Sequence, residues 1–202
     1  MRKDNFRQSG QSLVETVFAI GILLIVVSAI LALTTSSLFG QKESELQIVA
    51  NNLAREAIEI VRNQRDSNWL AGQKWDSGLV DEVGENINAV VNFIKEDNRW
   101  EISFYPASLI SSQSQLYLSP EGIYSHNQTA QSEKTVFLRH LIISSICQTK
   151  DPNGNDLAEQ IKEQCIAGSE SKIGIKVTSI VDWQENGGLR QVKLDDLLYE
   201  WK

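Results

Sequence analysis

Hydrophobic and polar positions change their rhythm twice along this chain. Residues 17–33 read VFAIGILLIVVSAILAL, with no charge at all. Carried back to Leu13, the run holds about 21 residues, enough for a helix to cross the hydrocarbon core of a bilayer. The helical period then continues in a different form. Leu46, Val49, Ala50, Leu53, Ala57, Ile60 and Val61 recur at steps of three and four, which marks one apolar stripe with charges elsewhere. Residues 13–66 therefore read as one helix of roughly 80 Å. Gly21 and Gly40 are its weak points, and Gly40 stands where the wholly apolar half meets the amphipathic half. Glu43, Glu45, Arg55, Glu56, Glu59 and Arg62 read as a solvated face, with Arg55–Glu59 and Glu59–Arg62 spaced for local ion pairs.

Beyond residue 66 the pattern turns to β. Turn-forming residues 66–72 close the helix at a glycine. Residues 82–96 fit either a short helix or a strand, because VVNFI satisfies both periods. Alternation predicts strands at 100–105, 135–147, 173–183 and 189–194, and a hairpin over 116–124 turning at Pro120–Gly122. Glu185-Asn186-Gly187-Gly188 supplies a tight turn. Residues 195–201 are left as a short helical cap or an extended tail. The expected fold is α+β, a long N-terminal helix packed on an antiparallel β-sheet head.

Composition narrows the function. A chain of 202 residues with 42% apolar side chains holds one domain with a real core. The net charge of -7 argues against nucleic acid as a partner, since phosphate binding needs a basic face. Basic residues instead gather at the start, where Arg2, Lys3 and Arg7 face only Asp4. The positive-inside rule then keeps residues 1–10 cytoplasmic and sends the C-terminus outward. In an exported chain, Cys147 and Cys165 are expected to form one disulfide.

Little in the head suggests chemistry. His126 and His140 are too few and too isolated for a metal cage, and His140 lies within a strand pattern. No G-x-S-x-G elbow or phosphate-cradling glycine loop occurs, so no catalytic residue and no cofactor is assigned. Asp151-Pro152-Asn153-Gly154-Asn155-Asp156 has oxygens at alternate positions as a calcium loop would. An exposed turn explains it as well, because Asp156 and Lys162 stand where that loop needs glycine and glutamate. Asn127-Gln128-Thr129 fits a glycosylation acceptor and reads as incidental.

The N-terminus is more specific. A cleavable signal peptide would place its small-residue site after the apolar run, and Ala32-Leu33-Thr34-Thr35 is a weak one. The distinctive residues lie before the run, in Ser9-Gly10-Gln11-Ser12-Leu13-Val14-Glu15. They put a glycine behind a basic leader and a carboxylate at the mouth of an apolar helix, where a charge is costly in lipid. This segment resembles the cleavage and methylation motif of type IV prepilins and type II secretion pseudopilins. The resemblance covers about the first quarter of the chain. It implies cleavage by a prepilin peptidase after Gly10, leaving an N-methylated Gln11 where many members have phenylalanine. Glu15 then matches the glutamate that the family uses in assembly with other pilin subunits.

By that resemblance, residues 1–10 are leader, 11–39 the membrane and filament-core helix, 40–68 its amphipathic half and 69–202 the head. The implied role is a structural subunit, held in the membrane by a single pass and then carried into a surface filament, as a minor component. Two rivals share the anchor: a secretion or competence pseudopilin, and a single-pass surface domain that binds a ligand without polymerising.

Overall fold

The computed structural model describes residues 13–81, 87–94, 97, 99–150, 156–185 and 187–200. Helix α1 runs over Leu13–Leu70 and stays helical through both Gly21 and Gly40. The chain forms two compact units, residues 1–46 and 47–202.

In the second unit the helix becomes a core element. Ala50, Leu53, Ala54, Ala57, Ile58, Ile60 and Val61 are buried, following the stripe of the sequence. The helix ends four residues later than the turn signals suggest. Gln73 N–H donates to Asn68 O (2.9 Å) and Gly72 N–H to Trp69 O (3.0 Å), with Gly72 at φ 67°. This pairing caps the last carbonyls and needs a left-handed residue, which glycine supplies without strain. The Asn68 side chain then donates to Trp75 O (3.0 Å) and Ser77 O (2.8 Å), pinning the following loop.

Among the described residues eight antiparallel strands follow: β1 (Asn88–Ile94), β2 (Arg99–Tyr105), β3 (Gln115–Leu118), β4 (Tyr124–Ser125), β5 (Glu133–Lys150), β6 (Asp156–Lys162), β7 (Glu170–Glu185) and β8 (Gly188–Tyr199). A short helix α2 (Ala107–Gln113) separates β2 from β3. Strand β5 organises the sheet. Along one edge it pairs with β7 from Phe137↔Trp183 to Thr149↔Glu170, and its other edge takes β3, β1 and β6. The hairpin of β3 and β4 turns where Pro120–Gly122 predicted. Residues 88–94 are strand and not helix, and residues 195–199 continue β8 beside β7 as far as Gly174↔Tyr199.

The core lies between α1 and the sheet. Ala57, Val61, Leu79, Ala89, Leu141, Ile175 and Val177 have no exposed surface. Each large side chain buried this way stabilises the head by roughly 2 kcal/mol. Strand β8 approaches β7 so closely at Gly174 that a Cβ there would sit 2.7 Å from Leu198 O. Only glycine allows that approach, since a backbone oxygen cannot move aside cheaply.

Candidate membrane and assembly surface

In the first unit no stripe exists to be buried. Every residue from 13 to 42 is exposed, and the large apolar side chains range from 44% exposure at Val27 to 79% at Leu13. A helix that is apolar all round must be covered by lipid or by other helices. This one is long and apolar enough to cross a membrane.

Three of its hydroxyls bond back to the helix. Ser28 Oγ donates to Ile25 O (2.9 Å), Thr34 Oγ1 to Ile30 O (2.9 Å) and Thr35 Oγ1 to Leu31 O (2.8 Å). With the backbone helical, these three hydroxyls are paired in hydrocarbon, where an unsatisfied donor would cost several kcal/mol. Glu15 is the charged group of this segment. It stands at the start of the described helix with no ion pair or hydrogen bond among the described residues. Gly10 and Gln11 lie outside the described residues.

In the head, Cys147 and Cys165 form the expected disulfide, with Cα atoms 5.5 Å apart. The bridge ties β5 to the segment between β6 and β7. With 18 residues of separation, such a loop closure contributes about 3 kcal/mol in the chain-entropy account. Glu170 lies beside the sulfurs, paired with Lys162 and accepting from Ile166 N–H (2.9 Å). These contacts hold its carboxyl below the usual carboxylate range. Of the sequence 151–156 considered for calcium, residues 151–155 lie outside the described residues, and Asp156 opens β6.

Two groups escaped the sequence reading. Arg139, in the middle of β5, has no exposed surface and reaches α1. Its Nη1 pairs with Glu56 (3.0 Å) and lies 3.3 Å from Leu53 O, while Nε and Nη2 have no hydrogen-bond partner among the described residues. Burial pushes its pKa down, and the Glu56 carboxylate opposes that shift. Arg62 likewise bonds Asp196 of β8 (2.7 Å) as well as Glu59. Two of the helix charges read as a solvated face are therefore tertiary contacts.

His126 follows β4 and turns its Nδ1 to Gln115 O (3.1 Å), leaving Nε2 enclosed and without a hydrogen-bond partner among the described residues. Burial, reinforced by the charge of Arg139, pushes its pKa down to about 3 from 6.5. His140 is shifted in the same direction by burial, with Asp182 opposing. Because the folded state refuses a proton that the unfolded chain accepts, His126 favours folding above pH 6.5. That contribution fades as the pH falls toward 3. Part of the ring meets solvent, so the loss from neutral pH to about pH 4 is put at roughly 2 kcal/mol. His126→Asn should flatten this limb of the stability–pH curve, measured by urea unfolding at both pH values. An unchanged slope would show that the buried carboxylates carry the acid sensitivity instead.

No protein-family model, curated protein or solved structure matches this chain.

Proposed function

We propose that this chain is a type IV pilin-like subunit, cut by a prepilin peptidase after Gly10 and assembled through its apolar helix as a minor component of a pilus or related filament. The observation that carries the reading is Glu15: one unpaired carboxylate at the mouth of a helix that is apolar and exposed on every side. A charge there is tolerable among packed helices only when paired. In the filament the partner is the amine of Gln11 on a neighbouring subunit, released when the leader is removed. The basic leader and the residues from Ser9 to Glu15 support the same reading. Before assembly the helix holds the subunit in the membrane by a single pass, N-terminus inside. The head, stapled by Cys147–Cys165, faces the oxidising exterior.

Processing tests this directly. Co-expression with a prepilin peptidase should remove residues 1–10 and leave an N-methylated Gln11 as the first residue, read by intact-mass spectrometry. A bulky residue at Gly10 should block the cut. An uncut Met1 terminus, or cleavage after Leu33, would contradict the proposal.

A further inference from the structure

Among the described residues, strand β8 pairs with β7 alone, so its other side is an edge of the sheet. The ladder between them runs from Glu185↔Gly188 to Gly174↔Tyr199 without a register shift, and no proline interrupts β8. Edges are commonly blunted against further pairing by a proline, a bulge or extreme shortness. At 12 residues, β8 has none of these.

The phase of its hydrogen bonds follows from one contact. Glu200 N–H donates to Ile173 O (2.8 Å), one step beyond the Gly174↔Tyr199 pair. Residues of an antiparallel strand alternate between bonding one neighbour and facing the other way. Even-numbered residues of β8 therefore bond β7, and Leu189, Gln191, Lys193, Asp195 and Leu197 turn N–H and C=O to the outer edge. Spaced by two, these five residues also share one face, and all are exposed.

We propose that β8 pairs antiparallel with β8 of a second copy of this chain. Edge hydrogen bonds form only where an odd residue meets an odd residue. The register that uses the whole edge puts Leu194 opposite its own copy at the two-fold axis. Lys193 of each copy then faces Asp195 of the other, Gln191 faces Leu197, and Leu189 faces Tyr199. A slip of two residues in one direction sets Lys193 against Lys193, and in the other direction Asp195 against Asp195. Opposite charges thus select one register and like charges reject its neighbours. Asp195 is held by Thr178 (2.6 Å) and Lys176 (3.0 Å) yet stays 43% exposed, which leaves surface for a second cation. Any extended peptide could bond the edge, but the reciprocal placement of Lys193 and Asp195 fits this strand itself. The contact lies in the head and stands apart from the packing of the apolar helix.

The test uses the full chain in lipid nanodiscs at fewer than one chain per disc, so that apolar helices do not meet and association reports on the heads. Sedimentation velocity should show a two-disc species with a Kd of about 10 μM or below. Lys193→Glu, at an exposed position, sets like charges opposite each other twice and should weaken pairing about tenfold. Lys193→Pro removes an N–H that faces away from β7, so the head should stay folded while pairing is lost. The register is read by electron–electron distance with a nitroxide at Gln191→Cys. Across the pair the backbones at this position should lie about 20 Å apart, the span from residue 191 to residue 197, against about 14 or 27 Å in the slipped registers. Discs that stay single at roughly 100 μM would overturn the proposal. So would a Lys193→Glu or Lys193→Pro chain that pairs as the parent does, or a separation that matches a slipped register.

Discussion

Glu56→Leu should destabilise the head by about 3 kcal/mol, the low end of the range for breaking a buried ion pair. Arg139 is the largest side chain with no exposed surface, and Glu56 is its only carboxylate partner among the described residues. Removing the carboxylate leaves a guanidinium inside the head with nothing to balance it. Glu56 is itself 37% exposed, so water already screens the pair, which is why the low end applies. Arg139→Met in the Glu56→Leu background should recover most of the loss, since a buried pair exchanged for apolar groups of similar volume is often neutral. Denaturant unfolding followed by tryptophan fluorescence measures both variants. A Glu56→Leu protein as stable as the parent would mean that solvent reaches the guanidinium and that no buried charge needs balancing.

That pair also shows where sequence reasoning stops. Within TVFLRHLIISSIC, Arg139 falls on the buried side of a clean alternation, and its partner lies 83 residues away on the helix. Nothing local distinguishes Glu56 from its solvated neighbours. The apolar stripe of α1 was legible because a single face is buried, and the strand at 173–183 was legible because its apolar positions alternate. Strand β1 was ambiguous for a physical reason: residues 89–92 are buried in succession, so no period of two survives. Strand β6 was invisible for the opposite reason, since residues 157–161 are all exposed and no face is apolar. Helix α2, at seven residues, is too short to show a period. The disulfide could be anticipated from an even cysteine count in a chain expected outside the cell.

The apolar helix itself was readable from composition, but its exposure on every side gives Glu15 its weight. In a lone membrane anchor this carboxylate is a small liability near the interface, so Glu15→Ala should be neutral or should ease insertion. In a filament the same change strands the amine of a neighbour's Gln11 among apolar helices. The penalty is then roughly 3–5 kcal/mol per subunit for a fully buried pair, a hundredfold or more in association. Folding of the head is untouched in both cases, because residues 47–202 form their own compact unit.

The most direct measurement compares the parent chain with Glu15→Ala in a cell that makes the assembly machinery, quantifying each in membrane and sheared-surface fractions. The parent should appear in both fractions, and Glu15→Ala should accumulate in the membrane while nearly vanishing from the sheared material. Equal recovery of the two in the sheared fraction would contradict the role given to Glu15, and a parent chain that never leaves the membrane would contradict assembly altogether.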